Sequence, residues 1–388
     1  MNNFIFQNPV KVYFGENQLC HLGEELSRYG KRVLLTYGGG SIKRNGLYDA
    51  VVKEIKDAGL ELYELSGIDP NPRIDSVREG ARLCKEHNID VLLAVGGGST
   101  IDATKWMAAA ACVEHDAWDF FSKWAPVEKA LPIVTVLTIA ATGSEMDPGG
   151  VISNPETKEK IGCVAEPLFP KASFLDPTVT YSVSKYQTAC GAADMMSHIM
   201  EVYFNMEPDL YMLDSFMEGM MKTIIKYAPI ALREPDNYEA RANLMWTSSW
   251  AINGFVVGGK RLAWSCHPME HELSAIYDIT HGLGLAILTP RWMEYCLDET
   301  TVSKYVQFGV NVFGIDENQE PMVIAKQSIR KLSEFFFDTL GLDDTFTKVG
   351  IQAKDFPVMA KKACGDGVLP GFKPLAQKDI EQIFAMCL

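Results

Sequence analysis

The sequence predicts an α/β domain with a mostly parallel sheet, followed by an all-α domain. Three observations carry that expectation. The chain has 388 residues, more than a single hydrophobic core usually sustains, so two domains are expected. Its first part alternates short β-rich apolar runs with helical stretches, the pattern of parallel strands joined by crossover helices. Past about residue 180 the β-rich runs give way to long segments with helical spacing. The expected domains are therefore 1–180 and 181–388.

The elements follow in order. Residues 31–37 read as a buried strand that ends in Gly38-Gly39-Gly40. Residues 47–58 read as a helix closed by Gly59, and 60–65 as the next strand. Residues 74–87 read as a helix, 90–95 as a second buried strand running into glycines, and 133–137 as another strand. After Asp176-Pro177, segments 185–204, 210–227 and 238–252 have helical spacing. Pro229, Pro235, Pro268 and Pro290 read as helix boundaries or starts.

Composition excludes several classes. A formal net charge of −14 argues against a nucleic-acid partner, whose phosphates demand Lys and Arg. No polybasic run suggests a membrane surface. No apolar stretch approaches the roughly 20 residues needed to cross a bilayer, and the N-terminus lacks the pattern of a signal peptide. Nine cysteines with no C-x-x-C pair read as free thiols in a reducing compartment, so a cytoplasmic protein is expected.

Two segments carry chemistry. Gly96-Gly97-Gly98-Ser99 follows a buried strand and opens a helix. Glycine lets an anion approach the backbone, and the free N–H groups and dipole of a helix start favour a phosphate. Ser99 adds a hydroxyl, and Asp102 and Lys105 lie on the first turns, close to whatever binds. A tight turn without a ligand would use the same glycines, and the run matches neither G-x-G-x-x-G nor a Walker loop.

The second segment is rich in histidine. Of seven histidines, His198, His267, His271 and His281 fall in the expected helical domain. Asp194 and His198 are four residues apart, as are His267 and His271, a spacing that shares a helix face. A single such pair is usually ordinary. Two pairs plus His281 suit one divalent transition metal, Zn²⁺ or Fe²⁺.

At these residues the chain resembles the iron-containing alcohol dehydrogenases, most closely their butanol-dehydrogenase-like and aldehyde-reductase branch. The resemblance runs from Val12-Tyr13-Phe14-Gly15 through Pro70-Asn71-Pro72, Gly96-Gly97-Gly98-Ser99 and Ala141-Thr142-Gly143-Ser144-Glu145 to Asp176-Pro177. It continues through Asp194 and His198 to His267-Pro268-Met269-Glu270-His271 and His281-Gly282. It implies a dinucleotide-binding α/β domain and a helical domain, the dehydroquinate synthase-like fold. It implies metal ligation by Asp194, His198, His267 and His281, with His271 in the site but not usually a ligand; His271 is the nearby candidate for a proton shuttle, with the cofactor ribose and water as the alternative. Cofactor contacts are implied at Gly38, Gly39, Ser41, Asn71, Gly97, Gly98, Ser99, Asp102, Thr138, Thr142 and Lys160. Many relatives have Thr where this chain has Ile139, and Asn where it has Gly149.

The expected reaction is hydride transfer between a nicotinamide cofactor and small primary alcohols or aldehydes, by a self-associated chain, most often a dimer. NADP(H) is expected over NAD(H). NAD-preferring relatives carry Asp at the position of Gly39, and no carboxylate lies between Tyr37 and Tyr48. Ser41, Lys43 and Arg44 offer a hydroxyl and charge for a 2′-phosphate. A lyase or cyclase on the same fold and a non-enzymatic sensor are the alternatives. The motif detail argues against the first and the intact metal set against the second.

Overall fold

The computed structural model describes residues 1–261, 263–365 and 367–388. The chain divides into two compact units: Gln7–Val183 with Pro235–Asn253, and Met1–Phe6 with Ser184–Glu234 and Gly254–Leu388.

The first unit opens with β1 (Lys11–Phe14), α1 (Leu22–Ser27), β2 (Arg32–Tyr37), α2 (Ser41–Arg44), α3 (Leu47–Asp57) and β3 (Glu61–Leu65). It continues with α4 (Ile74–Glu86), β4 (Val91–Gly96), α5 (Gly98–Ala110), α6 (Asp119–Ser122) and β5 (Ile133–Leu137). The hairpin β6 (Gly149–Asn154) and β7 (Glu159–Val164) precedes β8 (Ala172–Leu175). Six strands form one sheet in the order β1-β8-β5-β4-β2-β3, every neighbouring pair parallel. The apolar runs explain this. A parallel sheet is covered on both faces, so its strands are apolar on both sides. Side chains alternate between those faces. Leu34, Leu92 and Ile133 join one core with Ile74, Val77 and Ala81 of α4 and Ala103 of α5. Val33, Leu35, Val91, Leu93, Val134 and Val136 join the other, with Leu22 and Leu26 of α1 and Val51 and Ile55 of α3.

The remaining helices are α7 (Lys185–Tyr203), α8 (Tyr211–Arg233), α9 (Tyr238–Ile252), α10 (Cys266–Tyr277) and α11 (His281–Cys296). Then come α12 (Val302–Phe313), α13 (Pro321–Ser333), α14 (Phe356–Cys364) and α15 (Gln377–Met386). All but α9 belong to the second unit. Helical periodicity identifies α9 but not its neighbours. Its Met245 packs with Ala94, Ile101, Leu137 and Leu175 around the sheet, and Ser249 hydrogen-bonds the buried Glu145. Two prolines read as boundaries are not boundaries: Pro229 lies inside α8 and Pro290 inside α11. An internal proline costs about 3 kcal/mol, and α11, buried along most of its length, gains more than that from packing. Pro268 does sit in the first turn of α10, where its missing N–H would be unpaired in any case.

Candidate functional site

The glycine turn lies at the carboxyl end of β4. Gly97 is the residue before α5 and Gly98 its first residue. A Cβ on Gly97 would stand 2.3 Å from Ile139 Cγ2, and one on Gly98 2.3 Å from Thr142 Oγ1. The loop after β5 therefore presses on this turn and brings Thr138 and Thr142 beside it; the Thr138 N–H also donates to the Gly96 carbonyl at 3.0 Å. These glycines are required by the protein's own packing as well as by any anion. Ser99 follows on the first turn of α5. At the carboxyl end of β2, a Cβ on Gly38 would lie 3.9 Å from Thr100 Oγ1, and one on Gly39 would meet nothing within 4 Å. Gly40 has φ 88°, and Ser41 then opens α2. Asn71 and Lys160 meet each other: Lys160 Nζ donates to Asn71 Oδ1 at 3.0 Å.

Two charged side chains near the turn bond to neighbouring segments of the chain. Lys105 is fully buried. Its Nζ donates to Ser144 Oγ at 2.9 Å and to the carbonyls of Asp147 at 2.8 Å and Gly149 at 2.7 Å. It also pairs with Asp147 Oδ1 at 3.1 Å. It pins the 144–149 segment and points inward rather than toward a ligand. Asp102 accepts from Ser144 Oγ at 2.6 Å and from the Val151 N–H at 2.8 Å. Burial raises its pKa to about 6, against the pull of Lys105.

Beside Gly38 and Gly39 stands a cluster the sequence did not suggest. Tyr37 and Tyr48 both donate to Glu64 of β3, at 2.9 and 2.7 Å. The Lys43 ammonium lies 5.1 and 4.5 Å from the two ring centroids.

In the second unit, α7, α10 and α11 bring the expected ligand set together. Ser184 caps α7 by accepting the Gln187 N–H at 3.2 Å. Asp194 and His198 lie one turn apart on α7, both buried. His267 is in the first turn of α10 and His281 is the first residue of α11. Ligand atoms of Asp194, His267 and His281 all lie within 4.8 Å of one another. Asp194 Oδ1 is 3.6 Å from His198 Nδ1, 3.9 Å from His267 Nε2 and 3.8 Å from His281 Nε2. The His198 ring stacks on His267 at 4.5 Å between centroids.

Asp194 Oδ1, His198 Nδ1 and His267 Nε2 are buried and have no hydrogen-bond partner. Each such atom costs about 1–3 kcal/mol. A carboxylate oxygen and imidazole nitrogens turned toward one point fit a divalent transition cation, which would satisfy all of them. Burial opposes ionisation of Asp194, but the three histidines hold it well below the usual carboxylate range. Burial pushes His198 down to about 3. His267 is raised to about 9: burial resists its charge, but Glu201 and Asp194 outweigh it.

Two buried carboxylates that the sequence reading passed over stand behind the histidines. Glu201 meets His267 Nδ1 and Glu270 meets His281 Nδ1. Both were legible as spacing: Glu201 extends the stripe Asp194–His198 by another three residues, and Glu270 lies three after His267. His271 is close without joining the trio, its ring centroid 6.4 Å from His267 and 5.7 Å from His281. Among the nearby aromatics, Trp264 faces His267 edge-on at 4.9 Å. Trp250 packs on Trp246, and Phe255 on Phe6 and Phe216.

Residues 9–177 match the family described as iron-containing alcohol dehydrogenase, and residues 188–388 match the C-terminal region of the Fe-containing alcohol dehydrogenase family. The chain belongs to the iron-containing alcohol dehydrogenase family. It is an alcohol and aldehyde oxidoreductase that uses a nicotinamide cofactor and a divalent metal. NADH-dependent butanol dehydrogenase A of Clostridium acetobutylicum is 49% identical over 386 residues, covering 99% of both chains. NADPH-dependent aldehyde reductase YqhD of Escherichia coli is 35% identical over 366 residues, covering 93% of both. Among solved structures, NADH-dependent butanol dehydrogenase A from Thermotoga maritima superposes with a TM-score of 0.95 at 38% identity, covering 100% of this chain and 99% of that one.

Proposed function

We propose that this dehydrogenase interconverts small primary alcohols and aldehydes with NADP(H) as preferred cofactor. One Fe²⁺ or Zn²⁺ is held by Asp194, His198, His267 and His281. The observation that carries the metal assignment is the convergence of buried, unpartnered atoms of Asp194, His198 and His267. The substrate class is supported by the butanol dehydrogenase and aldehyde reductase names of the relatives.

When bound, the metal polarises the substrate oxygen as a Lewis acid and the nicotinamide carries the hydride. The chain's own residues do the rest. The N–H groups at the start of α5, from Gly97 to Ser99, receive the diphosphate. Asn71, Asp102, Thr138, Thr142 and Lys160 contact the remainder of the cofactor, with Gly38, Gly39 and Ser41 at its adenosine end. A ring nitrogen of His271 takes the proton released when alcohol becomes aldehyde and returns it in the reverse direction. Oxidation releases that proton, so reduction is favoured near neutral pH.

The cofactor preference rests on residues 38–47, which contain no carboxylate, and on the open space at Gly39. Glu64 is the nearby acid, and its oxygens already accept from two phenols. The names of the relatives divide: four at 44–49% identity specify NADH, one at 35% specifies NADPH and one at 34% specifies NADP. Comparing kcat/KM for NADPH and NADH over a panel of short aldehydes, with metal analysis of the same preparation, tests the whole reading. An equal or higher value with NADH removes the NADP(H) assignment, and a metal-free active enzyme removes the metal. The proposed assembly is a homodimer in the cytoplasm, which sedimentation of the purified chain checks. No helix among the described residues is long and apolar enough to cross a membrane.

A further inference from the structure

Glu201 is 5% exposed and Glu270 fully buried. A buried carboxylate is tolerated only where donors surround it. Glu201 Oε2 accepts the N–H groups of Ser265 at 2.5 Å and Cys266 at 2.8 Å, and its Oε1 accepts that of His267 at 3.1 Å. These are the orphan donors at the start of α10. The same Oε1 also meets His267 Nδ1. Glu270 Oε1 accepts from Ser274 Oγ at 2.5 Å, and its Oε2 meets His281 Nδ1. The fold makes room for it: a Cβ on Gly284 would stand 2.8 Å from Glu270 Cγ.

Both contacts fall on Nδ1, while the Nε2 atoms of the same rings face Asp194 Oδ1 at 3.9 and 3.8 Å. An imidazole whose Nδ1–H is held by a carboxylate keeps its lone pair on Nε2 and its ring plane fixed. His198 presents its Nδ1 to the same Asp194 oxygen, at 3.6 Å.

We propose that Glu201 and Glu270 are paired positioning residues, each locking one histidine so that its Nε2 is presented to the metal. This rests on the metal reading above. Glu201 has a second consequence. Because one carboxylate holds both the His267 ring and the first N–H groups of α10, the ring cannot shift without the helix start.

The test uses full-length wild type, Glu201→Gln and Glu270→Gln, stripped with a chelator. Each is titrated with Zn²⁺ against a chromophoric competitor and with Co²⁺ followed by visible absorption. Wild type should bind one ion per chain. Each variant should bind about 10–100-fold more weakly, with a changed Co²⁺ spectrum, at a temperature where its far-UV circular dichroism matches wild type. A merely structural role would lower the melting temperature and leave affinity and spectrum unchanged. Zn²⁺ affinity within twofold of wild type and an unaltered Co²⁺ spectrum in the variants would overturn the proposal. If Glu201→Gln does not fold because the α10 start is lost, Glu270→Gln decides alone. Wild type that binds no ion would overturn the metal reading itself, a different result from wild type that binds while the variants bind equally well.

Discussion

Gly282 lies against the backbone of Cys190: a Cβ built on Gly282 would stand 2.0 Å from the Cys190 carbonyl oxygen. This is the close approach of α11 to α7, one residue after His281 and one turn before Asp194. The glycine next to His281 sets how near that histidine comes to the aspartate. Gly282→Ala should lower stability by about 1–3 kcal/mol through overpacking against backbone. It should also reduce the metal bound per chain. Thermal unfolding and elemental analysis of one preparation check both; unchanged metal content would mean that this approach does not govern the site.

His267 anchors the metal assignment. His267→Ala should lose most of the bound metal and the activity while far-UV circular dichroism keeps the α/β signal. Full turnover in a metal-free variant would defeat the assignment.

His271 is expected to handle a proton and not the metal. His271→Gln should keep one metal per chain and lose about 10²–10⁴ in kcat, with a changed pH–rate profile. If elemental analysis finds the metal gone, His271 is a ligand instead.

Gly39 is the expected specificity position. Gly39→Asp should lower kcat/KM for NADPH about 10–100-fold more than for NADH, because a carboxylate there repels a 2′-phosphate and can bond a 2′-hydroxyl. Parallel losses with both cofactors would separate Gly39 from the choice.

Glu145 is fully buried, and burial raises its pKa to about 7, against the hydrogen bond from Ser249. Its folded pKa thus exceeds the ordinary value of 4.5. The protonated form is favoured by folding, so the contribution is fully present below about pH 4.5 and is lost as pH rises through about 7. Glu145→Gln, which mimics the neutral form, should match wild type near pH 5. By pH 8 it should be more stable by on the order of 2 kcal/mol. Denaturant unfolding at the two pH values checks this; a pH-independent difference would contradict it.

What the sequence reveals about this protein follows from periodicity. The run 133–137 is a strand with the expected ends because only a sheet covered on both faces buries Ile133, Val134, Val136 and Leu137 together. Asp194, His198 and His267 were legible because four-residue spacing marks one helix face. The roles of Glu201 and Glu270 were not, although they share those stripes, because spacing does not distinguish a buried carboxylate from a solvated one. Lys105 misled for a related reason: its place on the first turns of α5 is visible, but its fully buried Nζ, turned to Ser144 and Asp147, is not. The fates of Pro229 and Pro290 depend on how much helix surface is covered, which local rules do not see.

The chain enters and leaves each unit repeatedly: residues 7–183 and 235–253 lie in one, 1–6, 184–234 and 254–388 in the other. Neither unit is a single stretch of gene. A graft that exchanges the nucleotide-binding part at residue 183 alone would leave α9 behind, and Leu137 and Leu175 would lose the Met245 side chain that covers them. Exchange of whole segments in this scaffold therefore disturbs a packed core, whereas a point change at Gly39, where a Cβ would meet nothing within 4 Å, leaves that core intact.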